Sequence, residues 1–99
     1  MADKYTYSKL AEQDLIDIYL YTAQTWGRKQ ADVYSAGIEQ SINRLADSPN
    51  IGRACNEIKT SYRRFEHKYH TIFYRQRQTG ILIVRILHES MDIRHHISG

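Results

Sequence analysis

Cysteine occurs once in the 99 residues, at Cys55, so no intrachain disulfide can form and no Cys/His spacing suited to zinc is present. That usage fits a reducing cytoplasm. No apolar run approaches the ~18 to 20 residues a membrane-spanning helix needs, and the opening Met-Ala-Asp-Lys-Tyr-Thr-Tyr has no apolar signal core. The sequence therefore predicts a cytoplasmic chain that is neither exported nor embedded in a membrane. Charge of one sign is scarce as well. Fourteen Lys and Arg face eleven Asp and Glu, and a net +3 is too small an excess to define a nucleic-acid binder. Gly-rich phosphate loops, HExxH, GxSxG and paired-carboxylate patterns are missing, leaving no legible cofactor, metal or hydrolase site. The adjacent His95 and His96 read as a hydrated pair in a polar tail. The length predicts one domain over residues 1–99.

Proline is equally sparse. Its one occurrence lies in Asp47-Ser48-Pro49-Asn50-Ile51-Gly52, the strongest break in the chain, which separates a helical first half from a strand-rich second half. Ahead of the break, residues 4–8 around Tyr5 and Tyr7 suit a short strand, and Ser8 suits a helix N-cap. From Lys9 to Trp26, the residues Leu15, Ile18, Tyr19, Thr22 and Trp26 recur at steps of three and four. Glu12, Asp14 and Asp17 fall in the early turns and read as a solvated start that complements the helix dipole. Gly27 stops this helix. A second, from Arg28 or Lys29 to Ala46, repeats Ala31, Tyr34, Ile38, Ile42 and Leu45 at helical spacing. So short a connection predicts an antiparallel hairpin with one broad apolar face.

Beyond Gly52, residues 53–59 read as an ordered loop, 62–67 and 70–77 as strands, and Gln78-Thr79-Gly80 as a turn into a last strand over 81–87. The tail from Glu89 shows one helical turn around Met91. The order β-α-α-β-β-β joins a helical hairpin to a mainly antiparallel sheet, an α+β two-layer architecture.

Ile81-Leu82-Ile83-Val84-Arg85-Ile86-Leu87 is the most apolar run, and a strand apolar at every position predicts burial on both faces and a central place in the sheet. Arg85 sits uncomfortably inside it. A buried guanidinium without a partner costs several kcal/mol, so its head must reach an acid, a carbonyl or solvent. It is either a structural cation with a packed stem or a working residue. His88 emerges from the same strand, and by itself reads as a hydrogen-bonding imidazole. Arg63, Arg64, Lys68, Arg75, Arg77 and Arg85 interleave with Tyr62, Phe65, Tyr69, Phe73 and Tyr74. Such a sheet can bind phosphate or carboxylate, or can simply alternate aromatics inward and Arg outward.

Particular phrases then matter together: Asp14-Leu15-Ile16-Asp17-Ile18, Trp26-Gly27, Gln30-Ala31-Asp32-Val33-Tyr34, Leu45-Ala46-Asp47-Ser48-Pro49-Asn50-Ile51-Gly52-Arg53, Tyr62-Arg63, His70-Thr71-Ile72-Phe73-Tyr74-Arg75 and Val84-Arg85-Ile86-Leu87-His88-Glu89-Ser90-Met91-Asp92. In this order and spacing they resemble the ParE toxins of bacterial type II toxin-antitoxin modules, across nearly the whole chain. The resemblance implies the RelE/ParE fold, with a helical hairpin packed on a twisted, mainly antiparallel sheet. It also implies a toxin that inhibits DNA gyrase by binding, not as an enzyme, and without a cofactor. A ParD-like ribbon-helix-helix antitoxin would neutralise it with an acidic, partly disordered segment, and operator DNA would be met only through that antitoxin. On this reading Arg63, Arg75, Arg85, His88 and Met91 meet the target, while Leu20, Tyr34 and Ile38 on the hairpin meet the antitoxin. RelE-like relatives on the same fold cut messenger RNA in the ribosome, and Arg85 with His88 would be the catalytic candidates for that alternative. Thr71 stands where several such nucleases place an Arg, and the Met91-Asp92 ending lacks their catalytic Tyr. A detoxified partner-binding module is the third reading.

Overall fold

Two helices and a five-stranded sheet form the body of the computed structural model, which describes residues 4–91 and 93–97. The opening residues 1–3 and Asp92, the last residue of the phrase beginning at Val84, lie outside the described residues.

Strand β1 (Tyr5–Tyr7) leads directly into α1 (Lys9–Trp26), whose start is capped as the sequence predicts: Ser8 Oγ accepts from the Ala11 N–H at 3.0 Å. Gly27 closes α1 and opens α2 (Arg28–Asp47) at a φ of 94°, a backbone region that a residue with a Cβ enters only under strain. The hairpin therefore turns on a single residue. A 3₁₀ turn at Pro49–Ile51 follows, then β2 (Arg53–Ala54), β3 (Arg63–His67), β4 (His70–Gln76), β5 (Ile81–His88) and the short helix α3 (Ile93–Ile97). Strand β2 lies within the stretch expected to be loop, because two residues carry no readable period. Helix α3 begins two residues beyond the helical turn expected around Met91.

The sheet order is β1-β5-β4-β3-β2, with β1 parallel to β5 and every other pair antiparallel. This is the expected α+β architecture. The expectation that β5 is central needs correction: β4 takes the middle, and β5 is covered on its outer side only from Ile81 to Ile83 by the three residues of β1. A bulge sets the faces of β5. Phe73 pairs with Arg85 but Tyr74 pairs with Ile83, so Val84 is the extra residue. The bulge shifts the alternation by one, and Ile81, Ile83 and Ile86 all join the core beneath the helices with Ile38, Ile42, Leu45, Ile72 and Tyr74. Leu87 and Phe73 point the other way, into a smaller cluster with Cys55 and Ile97, packed by Ile58, Tyr62 and Ile93. Both faces of β5 are thus covered, which explains why it is apolar at every position from Ile81 to Leu87 except Arg85. Burial pushes the Cys55 thiol above its usual pKa, so it behaves as a small core residue and not as a nucleophile.

Candidate functional site

Past Ile83 the outer edge of β5 has no neighbouring strand among the described residues, and its backbone groups need other partners. Ser8 Oγ donates to the Val84 carbonyl at 2.7 Å, and Asp14 Oδ2 accepts from the Ile86 N–H at 2.9 Å. The same carboxylate takes Nε and Nη2 of Arg85, each at 2.8 Å, while Arg85 Nη1 donates to the His96 carbonyl at 2.9 Å. One guanidinium therefore ties α1, β5 and α3 together. Side-chain exposure is 11% for Asp14 and 13% for Arg85, so this ion pair is largely removed from water. Hydrogen bonding to Asp14 raises the Arg85 pKa further, against the opposing effect of burial. The reading of Asp14 as a solvated helix-start carboxylate is corrected here. Glu12 and Asp17, the other two early acids, are exposed.

Beside this clamp lies a groove of about 800 Å³. Asp17, Tyr21, Thr22 and Trp26 supply one wall from successive turns of α1, and Gln30 and Tyr34 extend it onto α2. Tyr69 and His70 come from the β3–β4 turn and the start of β4, and His88, Ser90 and Met91 from the end of β5 and the segment after it. Tyr34 Oη lies 2.6 Å from His70 Nδ1, and the His70 and His88 rings meet edge to face at 5.3 Å. The Ser90 N–H donates to His88 Nδ1 at 3.1 Å, with Ser90 Oγ 2.7 Å from the same atom. His88 Nδ1 is therefore an acceptor, and the ring proton of the neutral form sits on Nε2.

Burial, followed by the charges of His88 and His67, lowers His70 from 6.5 to about 4. The folded chain thus resists a proton that the unfolded chain accepts. Stability is expected to decline as pH falls from 6.5 toward 4, and to be recovered above 6.5. Urea denaturation across that range checks the sign. His70→Gln, which cannot titrate, is expected to flatten the decline; an unchanged slope would show that other groups cause it.

The structure brings together only some of the residues singled out in the sequence. His88, Met91 and Tyr34 line the groove. Arg85 stands behind the groove wall, held by Asp14. Arg63 is on β3, where its Nη1 donates to the Gly52 carbonyl and fixes the turn after α2. Arg75, on β4, alternates with Tyr74 and so faces away from the helices, sharing that side with Arg53 and Arg64; the Arg64 guanidinium lies over the Phe73 ring, 5.4 Å from its centroid. Leu20 is 53% exposed, but falls on the side of α1 opposite the buried Ile18 and outside the groove. Ile38 is fully buried beneath the helices and Tyr34 nearly so, because their helical stripe is the one that packs on the sheet. The expectation that Ile38 meets the antitoxin is corrected accordingly, since it has no exposed surface, while Tyr34 reaches the surface only at the groove. Trp26, read as the end of the core stripe of α1, is 71% exposed instead. The sequence reading missed the groove roles of Tyr21, Trp26, Tyr69 and His70, although the spacing of Asp14, Asp17 and Tyr21 at steps of three and four along one side of α1 was available as a signal.

A helical hairpin laid over an antiparallel sheet, with a parallel edge strand and an open groove at the helix–sheet junction, is a RelE/ParE-like fold. A solved structure titled as the chromosomal ParDE TA system from P. aeruginosa superposes with a TM-score of 0.73 at 21% identity, covering 85% of this chain and 92% of that one. The family model described as the ParE toxin of the type II toxin-antitoxin system parDE matches residues 5–93. Toxin ParE1 of Mycobacterium tuberculosis is 38% identical over 98 residues, spanning 98% of this chain and 100% of the relative. Toxin ParE1 of Caulobacter vibrioides is 36% identical over 93 residues, 94% of this chain and 96% of the relative. Toxin ParE of Escherichia coli is 37% identical over 84 residues, 84% and 82% of the two chains. The chain belongs to the ParE toxin family of type II toxin-antitoxin systems.

Proposed function

We propose that this toxin acts by binding and not by catalysis, with DNA gyrase as its target and a ParD-like antitoxin as its neutralising partner. The whole chain, residues 1–99, serves as one cytoplasmic toxin domain, and operator DNA is reached only through the antitoxin's ribbon-helix-helix half. Membership of the ParE family carries the reading. The Arg85 geometry adds support: a nuclease needs a free cation beside His88 to stabilise phosphate charge, whereas Nε, Nη1 and Nη2 of Arg85 are all engaged within the fold. Exposed Met91 and Trp26 in the groove, the exposed apolar residues Leu20 and Val33 on the hairpin, and half-buried Arg75 on the sheet are surfaces open to partners.

The test pairs two assays on the purified toxin. Gyrase supercoiling is expected to be inhibited, with cleaved DNA complexes accumulating, and mRNA on translating ribosomes is expected to stay intact. New mRNA ends that vanish in a folded His88→Ala variant, with gyrase untouched, would overturn the proposal in favour of a ribonuclease. Silence in both assays would point to a detoxified binding module.

A further inference from the structure

Away from the groove, three large apolar side chains stand exposed on the hairpin: Ile16, Leu20 and Val33, at 52%, 53% and 58%. Helical periodicity puts them on one surface. On α1, Ile16 and Leu20 are one turn apart and lie opposite Ala11 and Ile18, which are buried toward the sheet; on α2, Val33 and the exposed Ala36 lie opposite Ile38 and Ile42. Tyr19 Oη donates to Asp32 at 2.7 Å and fixes the register of the two helices, so the pairs sit side by side midway along the outer surface of the hairpin. A surface helix pair that is apolar on its outer side as well as its core side presents an interface. The flanking charges indicate its occupant. One turn toward the open end of the hairpin stand Glu12 and Glu39, and one turn toward Gly27 stand Arg28 and Lys29, all exposed. None of the four joins an ion pair among the described residues. Most of the other hairpin charges nearby are engaged: Asp32 accepts from Tyr19, Arg44 lies over the Phe65 ring and Asp47 pairs with Lys4. Lys9 begins α1 nearly a turn further out than Glu12. The patch therefore has an anionic flank and a cationic flank, each one turn from it.

We propose that a second copy of this chain covers the patch, hairpin against hairpin and antiparallel, about a twofold axis that crosses both helices at the patch. Such an axis exchanges the two ends of the hairpin. Ile16 then packs on Leu20 of the partner subunit, and Val33 on Ala36 of the partner subunit, a large side chain against a small one that lets the helices approach to about 8 to 10 Å. Glu12 and Glu39 of each copy meet Arg28 and Lys29 of the other, so the surface is complementary to itself. An axis running along the helices would instead set Glu12 against Glu39, and like charges oppose it. Three half-exposed apolar side chains are few beside the roughly 800 Å² per partner of a stable interface, so the dimer is concentration-dependent and not obligate. The patch shares no residue with the groove, which leaves the groove open in both copies. The proposal thus stands apart from the gyrase and antitoxin readings.

Sedimentation equilibrium of the purified toxin at rising concentration is expected to show monomer passing into dimer. Leu20→Glu, at an exposed position, is expected to weaken dimerisation by about tenfold or more while thermal denaturation shows the fold intact. Lys29→Glu and Glu39→Lys are each expected to weaken it by roughly fivefold to tenfold, because a twofold interface counts every change twice, and the combined variant is expected to return close to wild type. Positions 29 and 39 lie about 15 Å apart along α2, so that recovery can arise only between copies. Trp26→Ala, in the groove, is expected to leave the equilibrium unchanged. A toxin that stays monomeric throughout, a dimer indifferent to Leu20→Glu, or a double reversal that fails to recover would each overturn the proposal. Shielding of Leu20 and Val33 by the antitoxin encoded with this toxin, with the toxin alone monomeric, would assign the patch to that partner and overturn it equally.

Discussion

Asp14→Ala is expected to destabilise the fold by about 3 to 5 kcal/mol, the scale for removing one partner of a buried ion pair. For a chain of this length that corresponds to a fall in Tm of roughly 12 to 30 °C. The substitution leaves the Arg85 guanidinium, 13% exposed, without its carboxylate, and the Ile86 N–H without its acceptor. It also cuts the link between α1 and the open edge of β5. Asp14→Leu combined with Arg85→Met is expected to cost clearly less than the sum of the two single changes, because no isolated charge then remains inside. Thermal and urea denaturation of the three variants measures the coupling directly. Additive losses would mean that the pair behaves as a surface bridge and that Arg85 is free for other work. A folded double variant that still inhibits gyrase would confirm Arg85 as structural, whereas one that is folded and inactive would return it to the target surface.

Gly52→Ala is expected to cost about 3 kcal/mol or more, from overpacking together with loss of buried hydrogen bonds. Backbone conformation is not the reason, since Gly52 sits at φ −71° and ψ 149°, where any residue is comfortable. Space is the reason. A Cβ there would come 2.2 Å from Tyr74 Oη, 2.8 Å from Tyr74 Cε1 and 2.9 Å from the Arg64 carbonyl. Tyr74 cannot easily retreat, because it is fully buried and its hydroxyl both accepts from the Gly52 N–H at 3.0 Å and donates to the Pro49 carbonyl at 2.6 Å. This contact fastens the break after α2 to the middle strand of the sheet. Adding Tyr74→Phe to Gly52→Ala is expected to recover part of the loss by removing the closest atom. Wild-type stability in Gly52→Ala alone would show that the turn shifts without cost.

Much of the fold was legible because its signals are local. The starts and stops of α1 and α2 were read to within about a residue from Ser8, Gly27 and the Pro49 break, where capping and breaking chemistry act on immediate neighbours. Strand β2 was missed because Arg53–Ala54 is held by pairing with Arg63 and Arg64, not by its own composition. The candidate site was legible in part. His88 and Met91 were singled out through the ParE resemblance and both line the groove, but Trp26 was placed on the apolar stripe of α1 because helical spacing shows which residues share a face and not whether that face is covered. Ile38 and Leu20 illustrate the same gap in opposite directions. Both are apolar helix residues, yet one is buried on the sheet and the other faces outward.

The amino-acid sequence by itself determined the types and order of the main elements, the one-residue hairpin at Gly27 and the need for Arg85 to find a partner, since propensity, periodicity and desolvation cost are properties of a segment. Only the tertiary structure decided that the partner is Asp14, 71 positions away, and that the bulge at Val84 turns Ile83 and Ile86 to the same side. It also gathered α1, the β3–β4 turn and the end of β5 around one groove. The physical reason is that a residue's burial and charge environment are set by what packs against it from afar, and that information appears only when the chain has closed.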